Sequence, residues 1–191
     1  MSYVARGGRC RTCGSPIAPA HLVIELLSAL LGLIAFAALP LPSAVFGLLF
    51  GCVLVALGWV DALHLTLPDR LVLPLLPLGL GHAWLLQGAL GDALIGAVIG
   101  YAGLAAVALG YRVVRERDGM GGGDPKLFAA IGAWTGWIGL PFVLLGASVV
   151  GLGFALWTRA NATSQLPLGT FLCLAAWPVW LALQVGGLLP R

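Results

Sequence analysis

The fold and the chemistry of this chain depend on one short stretch, GMGGGDPK, at residues 119–126. The glycine run ends in Asp124, with an arginine-rich segment before it and an apolar segment after it. A carboxylate bracketed by apolar residues costs several kcal/mol unless it has a partner or a function. We therefore predict that Asp124 is one half of a catalytic carboxylate pair and that Asp61 is the other half.

The composition of the chain is that of an integral membrane protein. Of its 191 residues, 60% are hydrophobic and 9% are charged, and the mean hydropathy is +1.03. A soluble domain carries about 25% charged residues, so this chain cannot cover a water-facing surface. The net charge of +3 is too small to imply nucleic acid as a partner, and membrane lipid is the expected surrounding.

Seven apolar runs, most of a length compatible with the roughly 20 residues that cross a bilayer, predict the fold. Helices are expected because lipid supplies no partner for an unpaired backbone group. The predicted fold is therefore an all-α, polytopic membrane bundle of about seven helices. The runs cover residues 21–39, 43–63, 71–87, 92–114, 124–137, 140–157 and 166–185, of which the fifth is short.

Two parts of unequal length follow from this pattern. Residues 1–20 form a short cytoplasmic head with one CxxC, and residues 21–191 form the membrane-embedded domain. The spans are rich in glycine, which lets membrane helices approach each other closely. The glycines expected at such contacts are Gly96, Gly100, Gly103, Gly146, Gly151 and Gly153.

The distribution of basic residues predicts the orientation in the membrane. With a cytoplasmic N-terminus and seven alternating spans, only Arg191 of the ten basic residues falls outside. Basic residues concentrate in cytoplasmic loops, so this bias supports the orientation. It also puts Asp61 and Asp124 at the cytoplasmic ends of their spans. The basic residues on the cytoplasmic side are Arg6, Arg9, Arg11, Arg70, Arg112, Arg115, Arg117, Lys126 and Arg159.

Two carboxylates brought close together cannot both ionise cheaply, so one proton is shared between them. Aspartic peptide hydrolysis uses such a pair. The ionised aspartate deprotonates a water as it attacks the carbonyl, and the protonated one polarises that carbonyl and later protonates the leaving amine. This mechanism requires no cofactor, and the sequence contains no HExxH motif. The scattered His21, His64 and His82 form no catalytic constellation.

The glycines that precede Asp124 have a physical role in this interpretation. Gly121, Gly122 and Gly123 lack side chains and can adopt backbone conformations closed to other residues. A substrate strand could therefore lie against their backbone. The alternative interpretation is a flexible connector before a helix.

Residues 121–127 read GGGDPKL and lead into AIGAWTGW at residues 130–137, while residues 61–71 read DALHLTLPDRL. These stretches resemble the GxGD signature and the first aspartate motif of the prepilin peptidases, or type IV leader peptidases, which are polytopic membrane aspartic proteases. The resemblance implies catalysis by Asp61 and Asp124. It assigns Asp69 and Lys126, together with the glycines, to substrate binding, and makes residues 21–191 the peptidase domain.

Two further segments support the resemblance, which thus covers nearly the whole chain. RCRTCGSPI at residues 9–17, with Glu25 downstream, is similar to the family's CxxC-Gly-x-x-Ile segment before a Glu-bearing helix. LPLGTFL at residues 166–172 is similar to its late Pro-Phe-Gly-Pro-Phe-Leu segment. Leu168 and Thr170 depart from that segment, which has phenylalanine and proline there.

The N-terminal region departs most from the family pattern. Longer members have an additional N-terminal span and a loop with two CxxC pairs, and this sequence starts at what resembles the second pair. A tetrahedral zinc site needs four ligands, of which Cys10 and Cys13 supply two. The pair could be free thiols, could meet a second pair across a homodimer, or could be a vestige. The missing region is associated with N-methylation of the newly exposed residue, so methyltransferase activity is left open.

The function implied by the resemblance is cleavage of leader peptides from type IV prepilins or pseudopilins. The expected cut follows a glycine, at the cytoplasmic face of the bacterial inner membrane. The expected substrate has a basic leader and a hydrophobic N-terminal helix.

Two functions from other classes are the alternatives. In one, a transporter uses Asp61 and Asp124 as a proton or cation relay. In the other, the chain is a catalytically inactive assembly subunit. Cleavage of a synthetic prepilin would separate all three.

Overall fold

The computed structural model describes residues 12–13, 18–115, 121–159 and 166–187, and this part of the chain is helical without a strand. A π-helical turn at Ala83–Gln87 extends the third helix. The all-α prediction is confirmed. The helices are α1 Pro19–Ala38, α2 Leu41–His64, α3 Asp69–His82, α4 Leu90–Arg115, α5 Gly123–Trp157 and α6 Leu168–Val185.

The bundle turns apolar side chains outward, as a protein in lipid does. Five of the described helices, α1, α2, α4, α5 and α6, are long and apolar enough to cross a membrane. Large hydrophobic side chains on their surfaces, such as Leu33, Val98 and Leu145, are more than half exposed. Because water would not tolerate so much apolar surface, the chain is an integral membrane protein. The membrane bundle is thus confirmed, whereas the count of seven spans is not.

The longest helix, α5, reverses its direction at Gly136. A straight helix of its 35 residues would be about 50 Å long. Yet both ends of this helix lie near the first turn of α6. At the beginning of α5, Gly123 contacts Leu67, which also touches that turn. Near the end of α5, the ring of Phe154 lies 5.6 Å from the ring of Phe171, which is in that turn as well. Gly136 has a φ of 65° and a ψ of 176°, which glycine adopts without steric cost.

The first arm of α5, residues 123–135, forms the centre of the bundle. Its side chains from Leu127 to Thr135 are all buried. The ring of Trp134 stacks on Phe50 of α2 at 4.3 Å, and its Nε1 donates a hydrogen bond of 2.8 Å to the carbonyl oxygen of Leu75 in α3. Because its neighbours shield it from lipid, this arm can carry a polar residue at its head.

Glycine contacts set the close approach of α4 and α5. A Cβ on Gly96 would collide with the carbonyl oxygen of Gly132 and come within 2.8 Å of the Gly136 carbonyl carbon. A Cβ on Gly100 would lie 2.7 Å from the Phe128 carbonyl oxygen. These backbones touch directly, as predicted for Gly96 and Gly100.

The prediction of close approach holds for only part of the glycines. Cβ atoms on Gly146 and Gly151 would lie 3.2 Å from Ala175 and 3.0 Å from Phe171, so both glycines face α6. The prediction of close approach was wrong for Gly103 and Gly153, because nothing lies within 4 Å of a Cβ placed on either glycine. These two lie on surfaces that no other described helix covers.

Gly96→Ala is expected to destabilise the bundle, and Gly103→Ala is not. The first substitution forces two helix backbones apart, whereas the second adds a methyl group on an open surface of the same helix. We expect an apparent melting temperature about 2–10 °C lower for Gly96→Ala in detergent. Equal melting temperatures for the two variants would contradict the packing described for α4 and α5.

Candidate active site

Asp61 lies in the last turns of α2 and is 4% exposed. The helix ends because Leu65 takes the left-handed conformation, with a φ of 52° and a ψ of 35°, and its N–H closes the last turn on the Asp61 carbonyl oxygen at 2.8 Å. In its side chain, Asp61 Oδ2 accepts a hydrogen bond of 2.7 Å from the backbone N–H of Thr170 in α6. The carboxylate is thus held by a helix distant in sequence.

Asp124 is the second residue of α5 and is 7% exposed. Its backbone N–H donates a hydrogen bond of 3.2 Å to the Gly121 carbonyl oxygen, which closes the turn before the helix. Pro125 follows in the first helical turn, where its missing N–H costs nothing. The helix N-terminus favours a negative charge at this position, so the local structure supports a carboxylate here.

The side chain of Leu67 brings the two aspartates into one site. A Cβ on Gly123 would lie only 2.7 Å from the Leu67 Cβ, so Leu67 occupies the space that a side chain at Gly123 would need. Its Cδ1 lies 3.0 Å from the Cβ position of Gly169, which is also 2.9 Å from Asp61 Oδ2. Asp61 and Asp124 are within electrostatic reach of each other. The structure therefore brings the predicted pair together, although 63 positions separate the two residues in the chain.

The glycines before Asp124 have a different role from the conformational one predicted. None of Gly121, Gly122 and Gly123 has a positive φ, and Gly122 has ordinary helical values of −64° and −11°. Gly123 is required because Leu67 packs where its side chain would be. Gly121 and Gly122 are exposed, and nothing lies within 4 Å of a Cβ on Gly122. Their backbone is therefore open beside Asp124, which is compatible with the predicted substrate contact.

Asp69 and Lys126, both predicted to bind substrate, form an ion pair with each other. Lys126 Nζ donates to both carboxylate oxygens of Asp69, at 2.9 and 2.8 Å. Both side chains are partly exposed, so water and salt screen the pair. The contact joins the start of α3 to the first turn of α5 and thereby ties together the segments that follow Asp61 and Asp124.

The predicted partial zinc site lies mainly outside the described residues. Cys10 is not among them, and Cys13 is exposed. Within the described ranges, no three His, Cys, Asp or Glu residues are grouped so that they could hold a metal ion. The possible zinc site at Cys10 and Cys13 therefore stays a prediction.

Thr170 is the site residue that sequence reasoning did not identify. It was singled out only as a departure from a motif, yet its backbone N–H and its hydroxyl both approach Asp61 Oδ2. The signal available in the sequence was the replacement of proline, which has no N–H, by a residue with two polar hydrogens. Leu67 carried no such signal, because one leucine among many in an apolar chain is not distinctive.

With this geometry established, comparison with known proteins identifies the class. The profile of the Type IV leader peptidase family matches residues 48–156, and that of the Bacterial Peptidase A24 N-terminal domain matches residues 1–39. The chain therefore belongs to the type IV leader peptidase family. The first match includes both aspartates, and the predicted resemblance is confirmed.

Curated relatives agree with this assignment. Proteins named prepilin leader peptidase/N-methyltransferase from Aeromonas hydrophila and Pseudomonas aeruginosa are 41% and 42% identical to this chain, each over 93% of it and 63% of the relative. The relative of the same name from Dichelobacter nodosus is 39% identical over 98% of this chain and 67% of its own. The chain thus spans about two thirds of these relatives. No solved structure matches it.

The ion pair between Asp69 and Lys126 predicts the behaviour of charge-reversed variants. Lys126→Glu places two carboxylates together and should lower the apparent melting temperature by about 2–4 °C. Adding Asp69→Lys restores opposite charges, so the double variant should recover at least half of that loss. Thermal unfolding in low-salt detergent buffer measures both effects.

Arg70→Glu makes the same change in net charge at the exposed residue next to Asp69 and serves as the control. A double variant no more stable than Lys126→Glu alone would show that the pair does not connect α3 to α5 in solution.

Proposed function

We propose that this protein is a membrane aspartic endopeptidase that cleaves leader peptides from type IV prepilins or pseudopilins. The observation that carries the proposal is that two buried carboxylates, Asp61 and Asp124, lie within electrostatic reach of each other at one end of the bundle. Family membership supports it, and so does the name of the relatives. Buried carboxylates are costly in a membrane protein, which favours a chemical role over a structural one.

The pair can carry out peptide hydrolysis with protein groups alone. One aspartate takes a proton from a water as the water oxygen bonds to the carbonyl carbon of the peptide, and the other gives its proton to the carbonyl oxygen. The tetrahedral intermediate then collapses. Its C–N bond breaks, the leaving amine receives a proton from the pair, and the new carboxyl group forms. The net result is the addition of one water across the peptide bond, with the aspartates returned to their initial state.

The surroundings of Asp124 offer a place for an extended substrate. Gly121 and Gly122 expose their backbone at the head of α5, next to the carboxylate. A peptide strand could hydrogen-bond to this backbone without meeting a side chain. A glycine before the scissile bond would allow the closest approach. The relatives' name also includes N-methyltransferase, but the two aspartates bear on cleavage alone, so the proposal does not extend to methylation.

The orientation is part of the proposal. A cytoplasmic N-terminus in the bacterial inner membrane would put both aspartates at the cytoplasmic face, where the basic leader of the substrate lies. Asp61 is near the end of α2 and Asp124 is at the start of α5. Acids at helix ends are poorly placed to relay protons across a bilayer, so the transporter alternative is not favoured.

Replacing either aspartate with asparagine should abolish cleavage. Asp61→Asn and Asp124→Asn keep the size of the side chain but remove the group that accepts or donates the proton, so we expect a rate at least about 1,000-fold lower for each. The measurement is release of the leader from a synthetic prepilin by purified protein, followed by mass spectrometry.

Asp92→Asn is the matched control, because Asp92 lies in the first turn of α4 at the opposite end of the bundle. It should cleave at the wild-type rate. Cleavage that survives in either Asp61→Asn or Asp124→Asn would remove that residue from the mechanism, and no cleavage by the wild-type protein would refute the proposed function.

A further inference from the structure

Thr170 makes two contacts with one oxygen of Asp61 and a third with the backbone of the same helix. Its backbone N–H donates to Asp61 Oδ2 at 2.7 Å, and its hydroxyl oxygen lies 3.1 Å from the same atom. The hydroxyl oxygen is also 2.9 Å from the carbonyl oxygen of Gly58, one turn earlier in α2. Both donors from α6 therefore converge on Oδ2, and neither is directed at Oδ1.

The position of Thr170 relative to Asp61 is set by close packing between α2 and α6. A Cβ on Gly169 would lie 2.9 Å from Asp61 Oδ2, and a Cβ on Gly58 would lie 3.9 Å from the Thr170 Cα and 3.4 Å from the Cβ of Cys173. Thr170 is in the first turn of α6, where a backbone N–H has no partner within the helix. The N–H is therefore available to Asp61 and cannot rotate away from it.

The hydroxyl group of Thr170 has one hydrogen and two acceptors within reach. The Gly58 carbonyl can only accept, and so can an ionised Asp61. While Asp61 is ionised, its oxygen is the stronger acceptor and receives the hydrogen. When Asp61 holds a proton on Oδ1, its Oδ2 is a neutral carbonyl oxygen, and the hydroxyl hydrogen is shared between Oδ2 and the Gly58 carbonyl oxygen. The side chain thus follows the charge of Asp61 without moving its heavy atoms.

We propose that Thr170 is a positioning residue that keeps the exchangeable proton of Asp61 on Oδ1, the oxygen to which Thr170 does not donate, and that Oδ1 is the oxygen that meets the water or the peptide. A proton on Oδ2 would have to compete with two donors already directed at that atom, whereas a proton on Oδ1 meets none of them. The arrangement needs both a backbone N–H and a hydroxyl at position 170, and threonine supplies both. The inference rests on the proposed function, in which Asp61 exchanges a proton in each turnover.

Two substitutions separate the hydroxyl from the shape of the side chain. Thr170→Val keeps the shape and removes the hydroxyl, whereas Thr170→Ser keeps the hydroxyl and removes a methyl group. We expect kcat for prepilin cleavage about tenfold lower in Thr170→Val with KM within about twofold, and both constants within about twofold of wild type in Thr170→Ser. A packing role would give the opposite order.

The matched control is Thr158→Val, which removes a hydroxyl that donates a hydrogen bond of 2.8 Å to the Phe154 carbonyl oxygen at the end of α5. It should leave kcat unchanged. Wild-type rates in Thr170→Val, or equal losses in the valine and serine variants, would overturn the inference while leaving the proposed function intact. Failure of the wild-type protein to cleave would instead refute the function.

Infrared difference spectroscopy gives a readout that does not depend on activity. The C=O stretch of the protonated Asp61 carboxyl group is identified by its loss in Asp61→Asn. Because Oδ2 would be the carbonyl oxygen of that group, loss of the threonine hydroxyl should shift the band to higher frequency in Thr170→Val and leave it in place in Thr170→Ser. An unshifted band in Thr170→Val would also overturn the inference.

Discussion

The contact of Leu67 with two glycines is the constraint on which the site depends. Its side chain lies against Gly123 and Gly169, the residues next to Asp124 and Thr170. A larger residue at either glycine would separate the turn after α2 from the helices that carry the rest of the site. The apolar side chain of Leu67 therefore sets the distance between Asp124 and Thr170, because the segments that carry these two residues can approach only as closely as this side chain allows.

Lipid explains why the bundle has this arrangement. The hydrocarbon core offers neither a partner for backbone groups nor a counter-ion for a carboxylate, so polar chemistry has to be enclosed by the protein itself. The first arm of α5 is buried by its neighbours, and it is the arm that carries Asp124. Direct backbone contact between α4 and α5, made possible by Gly96 and Gly132, brings those neighbours close enough to enclose it.

Much of this could be predicted from the sequence, and the reasons differ between residues. Asp61 and Asp124 stood out because charge is rare in an apolar chain, and lipid makes a rare charge informative. The reversal at Gly136 was visible only as a gap between two apolar runs, since no polar loop marks it. Thr170 was noticed without its role, because its partner is 109 residues away and only packing brings them together. The packing role of Gly123 could not be predicted, since its contact with Leu67 is equally non-local.

The left-handed backbone of Leu65 adds conformational strain to the turn that follows α2. A left-handed conformation costs a leucine about 1–2 kcal/mol, and here it directly follows the helix that carries Asp61. The turn from Leu65 to Leu67 is therefore held in shape by its surroundings against its own preference. Since opening of this turn would release the stored energy, it opens at a lower cost than an unstrained turn with the same contacts would. In the proposed function, in which an extended peptide lies beside Leu67, this turn would yield before the helices do.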